Sequence, residues 1–155
     1  VPQDTVAYPD VHTLTTAAAK ISCFVLPNGA ATSTINFKGV CPNDLAGTPA
    51  SKIVLYLMAN ATVAAATVNL TLSRSYVSDA GDMDVALTAE TAVDLDIDGT
   101  IENLTRYEFD VTAEPTAGQL IIGQLKRDPT ALNDDFTDDL KVVAMFLQIE
   151  VTTTA

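Results

Sequence analysis

The chain closes on a long alternating run. From Lys141 to Thr153, Val143, Met145, Leu147, Ile149 and Val151 fall on one face, while Gln148, Glu150 and Thr152 fall on the other. Side chains alternate across a strand, so this period of two predicts a strand over 141–153 with one face buried throughout. Leu147, in the middle of that face, is expected to be fully enclosed. The near end is fatter, with Val142, Ala144 and Phe146 on the second face.

Similar runs recur upstream. Ile21–Leu26 is apolar and stops at Pro27-Asn28-Gly29, a turn signal that suggests a hairpin with Ser33–Lys38, where Ile35 and Phe37 alternate. Lys52–Ala59 is apolar on both faces, which predicts a central strand covered twice. Thr67–Tyr76 alternates cleanly. Val93–Asp98 alternates with aspartates, which discourage pairing at an edge. Leu104–Thr112 puts Tyr107, Phe109 and Val111 on one face, and Gln119–Arg127 is interrupted by Gly123. The polar loop 128–140 holds at most one helical turn, over Thr130–Phe136, with Asp128 as its cap. Eight strands without a sustained helix predict an all-β, antiparallel jelly roll or β-sandwich, with a closed barrel as the alternative.

Residues 1–20 break the pattern. Pro2 and Pro9 favour extended backbone, and the apolar residues are isolated. The chain therefore divides into an extended N-terminal arm, 1–20, and a jelly-roll domain, 21–155. Val6, Tyr8, Val11 and Leu14 are more apolar than a disordered tail needs, and are expected to meet a neighbouring subunit.

Charge narrows the partners. Twenty acids against eight bases give a net charge of -12. The bases are scattered, so the cationic footprint of a nucleic-acid binder is missing. No apolar run is long enough to span a membrane as a helix. A hydrophobic fraction of 48% in so acidic a chain suggests apolar surface hidden between subunits. Cys23 and Cys41 make no disulfide framework and read as small buried hydrophobes.

Catalytic equipment is thin. His12 is the single histidine and sits in the arm, where a surface position is expected. Metal sites on strands and nucleophilic triads both need histidines held by the scaffold. Glu102, Glu108 and Asp110 could share one sheet face, but no aromatic platform for a sugar accompanies them in the sequence. Two loops are rich in acids: Asp79, Asp82 and Asp84, then 133–139. The second offers Asp134, Asp135 and Asp138 as weak candidate calcium ligands, without the order of an EF-hand. No catalytic residue, cofactor site or firm metal site is expected, and the chain does not read as an enzyme.

The run Gly118-Gln-Leu-Ile-Ile-Gly-Gln-Leu-Lys-Arg-Asp128, the loop with Asp134-Asp135-Phe136, and the strand Val142–Glu150 resemble phage virion proteins. They are similar to the jelly-roll decoration (cement) proteins of tailed phages and to related fibre and tip domains. The resemblance implies a homotrimer on the capsid exterior of a virion, touching the major capsid protein and neighbouring trimers through arms. It carries no functional residue over. The leading expectation is thus a structural protein that decorates and stabilises a phage capsid. The alternative is a receptor- or glycan-binding domain of a phage fibre or secreted adhesin.

Overall fold

Ten strands carry the chain: β1 (Tyr8–Thr13), β2 (Lys20–Leu26), β3 (Ser33–Val40), β4 (Ser51–Ala59), β5 (Ala66–Val77), β6 (Thr88–Ala89), β7 (Val93–Ile97), β8 (Thr105–Asp110), β9 (Leu120–Arg127) and β10 (Leu140–Ile149). The computed structural model describes residues 7–16, 18–29, 31–43, 51–64, 66–111 and 115–149. No helix occurs among them. All eight predicted strands are present. The two additional ones are β1, inside the predicted arm, and the two-residue β6.

The strands form two antiparallel sheets. One runs β1-β2-β10-β4-β8, and the other runs β3-β9-β5, with β6 and β7 both pairing β5. Without β1 and β6, β2-β10-β4-β8 faces β3-β9-β5-β7. Successive strands from β2 to β5 change sheet at each step, and β8, β9 and β10 do the same. This is a jelly roll, the two-sheet solution to burying alternating strands. Pro27-Asn28-Gly29 is accordingly a corner between sheets and not a hairpin turn: β2 pairs β1 and β10, while β3 pairs β9. Turn residues encode a reversal, but not which sheet the next strand joins.

The core fills the space between the sheets. Leu55 and Leu57 of β4, Leu70 and Leu72 of β5, Leu125 of β9 and Leu140 of β10 are fully buried. Each such side chain contributes about 1.5–3 kcal/mol by leaving water. β4 lies inside its sheet between β10 and β8, with its inner face in the core, but its outer face is only partly covered: Val54 and Met58 are buried there, whereas Lys52 and Tyr56 are half-buried. Gly123 in β9 pairs with Phe37 of β3, and a Cβ there would sit 2.5 Å from the Ser73 carbonyl oxygen. The interruption in that strand is therefore a close approach of ring and backbone.

The terminal strand departs from its predicted face. β10 pairs β4 from Leu140 to Ile149, with a register shift between Val142 and Ala144. Leu140 and Val142 face the core before the shift, and Met145 and Leu147 do so after it. Val143 is the extra residue of a bulge, so the core face changes parity there. Leu147 is half-buried and not enclosed. Glu150 and Val151 lie outside the described residues.

Candidate functional site

The outer face of the five-stranded sheet carries a cluster of polar and aromatic side chains. Strand register sets it out in rows across β10, β4 and β8. Lys141 pairs with Met58. Ala144, Tyr56 and Arg106 form the next row, then Phe146, Val54 and Glu108, then Gln148, Lys52 and Asp110. Phe146 is 44% exposed, a large ring left in water. Its ring lies 6.1 Å from that of Tyr56 at an interplanar angle of 29°, an offset stack. Val54 is fully buried beneath these side chains.

Polar groups frame the rings. Lys52 Nζ lies 2.8 Å from Glu108 Oε2, and Arg106 closes on the other oxygen of the same carboxylate. Arg106 Nη2 also donates to Gln148 Oε1 at 3.3 Å. Hydrogen bonds from Lys52, then Arg106, hold the Glu108 carboxyl below the usual carboxylate range. Lys52 also reaches Asp110 Oδ1 at 3.7 Å. The two cations and two anions cancel, which leaves a neutral set of donors and acceptors beside the half-buried Tyr56 and the exposed Phe146. The sequence places Glu108 and Asp110 on one sheet face but misses the platform. Tyr56 and Phe146 are far apart in the chain, and only the β10–β4 ladder brings them together.

At one end the face is covered. Lys141 and Met58 point outward yet are 3% and 1% exposed. Lys141 Nζ contacts Asp10 Oδ2 at 3.3 Å and His12 Nδ1 at 2.8 Å. His12 Nε2 lies 3.3 Å from Glu102 Oε1, which also accepts from Thr15 N and Thr15 Oγ1 at 2.6 and 2.7 Å. An ammonium can only donate, so Nδ1 carries the lone pair and the His12 proton faces Glu102. His12 is thus a half-buried bridge between opposite edges of the sheet, and not the surface histidine expected. Glu102 is drawn here, away from Glu108 and Asp110.

The predicted interface residues divide. Val6 lies outside the described residues. Tyr8 and Val11 belong to β1, which pairs β2 of the same chain, Tyr8 opposite Val25 and Val11 opposite Ser22. Tyr8 and Leu14 are half-buried and Val11 is exposed.

The acidic loop before β10 is tied to the scaffold. Arg127 is fully buried and grips Asp134 with Nε and Nη2 at 3.1 and 3.0 Å. Asp134 Oδ2 also accepts from Asn69 N, Asp135 Oδ1 from Thr67 N, Asp138 Oδ2 from Ala61 N, and Asp139 Oδ1 from Asn28 N. The candidate ion ligands Asp134, Asp135 and Asp138 are therefore spent on backbone amides at the ends of other strands. No group of three or more ligating side chains placed to hold a metal ion occurs among the described residues. Cys23 and Cys41 are free and buried, and burial raises both thiols.

Six carboxyls, Asp10, Asp94, Asp98, Glu102, Glu108 and Asp128, sit below their ordinary range because hydrogen bonds favour the charged form. A depressed folded value means the stabilisation is present above the unfolded pKa, near 4, and is lost as pH falls through the folded one. The urea midpoint is therefore expected to be flat from about pH 7 to about 5 and to drop below about 4. An unchanged midpoint at about pH 3 would mean that these bonds contribute nothing to stability.

No protein-family model matches the chain, and no curated protein does. Solved structures match at the level of fold. The CBM22-2 xylan-binding domain of Paenibacillus barcinonensis Xyn10C superposes with a TM-score of 0.50 at 9% identity, over 93% of this chain and 88% of that one. The TmCBM61 domain, solved with β-1,4-galactotriose, gives 0.48 at 10% identity, over 93% and 87%. Tailspike protein 4 of bacteriophage CBA120 gives 0.46 at 11% identity, and this chain spans 18% of it. At 9% identity the likeness to the xylan-binding domain is one of architecture alone.

Proposed function

We propose that the domain is a non-catalytic binding module that docks a neutral glycan on the outer face of β10, β4 and β8. The observation that carries this is the Tyr56–Phe146 stack, with Phe146 exposed and Tyr56 half-buried, framed by Arg106, Gln148, Lys52 and Glu108. A pyranose has an apolar CH face and a rim of hydroxyls. Stacked rings take the first, and paired donors and acceptors take the second. Each cation is already matched by a carboxylate, so the site offers no net charge to a polyanion. The fold, shared with a xylan-binding domain, supports the reading only as architecture. The ligand class is read from the surface.

Isothermal titration against xylan, galactan, cellulose and polyuronate fragments tests it. At least one neutral glycan should bind. Phe146→Ala should weaken that binding by roughly tenfold or more, since an aromatic contact contributes about 0.5–1.5 kcal/mol beyond its buried area. Equal binding by wild type and variant removes the platform from the site. Preference for the polyuronate removes the neutral ligand.

A second reading is favoured by a different feature. β10 pairs β2 only over Leu140–Val142, although it pairs β4 as far as Ile149. The strands part after the bulge and leave a cleft of about 260 Å³ lined by Phe24, Ile35, Phe37, Val142 and Met145. Phe24 is 45% exposed, and Val40, on the adjoining stretch, is 70% exposed. Such a strip suits contact between copies, as a trimer on a capsid exterior would need. Light scattering at micromolar concentration decides: three times 16.3 kDa is expected on this reading, and 16.3 kDa alone ends it.

A further inference from the structure

We infer that the site on β10, β4 and β8 reads the end of a glycan chain and not its interior, an inference that rests on the glycan-binding reading above. The outer face is asymmetric along its strands. Met58 and Lys141 are covered, whereas on the next rows Tyr56 is half-buried, Ala144 is exposed and Phe146 is 44% exposed. The cover is a strap. It starts at the β1 edge with Asp10 and His12, crosses over Lys141, and ends on Glu102, which precedes β8 at the opposite edge. Two bonds from Thr15 to Glu102 fasten the turn after β1 to the same point.

The strap stands one row from the platform. Two strand residues separate Tyr56 from Met58, a rise of about 7 Å, which leaves space for a single pyranose ring between the stack and the wall. At the other end, Asp110 is 87% exposed in its side chain, so the face is open to solvent there. A chain lying along the strands can leave the platform in one direction only. Its first or second ring must therefore be terminal.

The wild-type domain tests this with xylan and galactan fragments of increasing length. On the inference, each chain binds one copy and the dissociation constant per chain stays constant with length. Several copies per chain, with apparent affinity rising in step with length, would overturn it while leaving the glycan reading intact. Binding of no glycan at all overturns both. Glu102→Ala removes the anchor of the strap. It should let long chains take more than one copy while short fragments keep their affinity within about twofold. Thr15→Val, which removes one of the strap's bonds, should move loading in the same direction if Glu102→Ala does not fold. Unchanged loading in a folded strap variant with wild-type end binding would show that the strap is not the stop, and the inference would fall.

Discussion

Arg127→Met should cost about 3–5 kcal/mol, the cost of breaking a buried ion pair from one side. The guanidinium is fully buried, and the Asp134 side chain is 1% exposed. Five bonds fan out from Arg127. Two go to the Asp134 carboxylate, two to the carbonyls of Phe136 and Asp138 at 2.6 and 2.8 Å, and one to the carbonyl of Leu26 at 3.3 Å. Every N–H of the group thus has an acceptor, and three of those acceptors are backbone oxygens, two of them in fully buried bonds. The cation also lies 5.4 Å from the centre of the buried Phe136 ring. Methionine fills the volume and supplies none of these bonds. The carboxylate is then left buried and unpaired, apart from its bond to Asn69 N. The double variant Arg127→Met, Asp134→Leu should recover part of the loss, because it removes that orphaned charge. Urea midpoints of the two single variants and the double variant close the cycle. A loss under about 1 kcal/mol for Arg127→Met would put the pair in the class of exposed salt bridges and break the account of the loop.

This network also shows where sequence patterns stop. Asp134, Asp135, Asp138 and Asp139 look like ion ligands when read in a row. Their partners are amides of Asn69, Thr67, Ala61 and Asn28, at strand ends that only the jelly-roll crossovers bring beside the loop. By contrast, most strands are legible, through a period of two in β5, β7 and β8 and through continuous apolar character in β4. β6 has only two residues and no pattern to read. β1 alternates too, but its sequence hides it. Pro9 lacks a donor and reads as a break, yet an edge strand tolerates it on its unpaired side, and β1 is an edge. The binding face is half legible. Glu108 and Asp110 share a strand, so their common side follows from parity. Tyr56 reads as one more apolar residue of a buried strand, and Phe146 as part of a fat strand start. Their meeting depends on register, which the bulge at Val143 sets and no local signal announces.

The same bulge decides the second large effect. Leu55→Ala should cost about 2–5 kcal/mol, from lost transfer energy and the cavity left behind. Leu55 is fully buried, paired with Met145 on one side and Tyr107 on the other. Leu147→Ala should cost roughly half as much or less, although the alternating pattern marks it as the centre of the buried face. Leu147 borders a cleft of about 290 Å³ shared with Phe37, Val40, Met145 and Phe146. Part of its surface faces water already, so less apolar area is at stake and water can enter the gap. Urea midpoints at one fixed protein concentration give the comparison, since any assembly would add a concentration-dependent term. Equal losses at the two positions would mean that the cleft is closed in solution. Repeating the Leu147→Ala measurement at tenfold lower concentration then separates two causes. A loss that shrinks on dilution assigns the closure to a second copy, and favours assembly over the isolated module. A loss that stays constant assigns it to this chain, and the parting of β2 from β10 after the bulge would have to be narrower than the register implies.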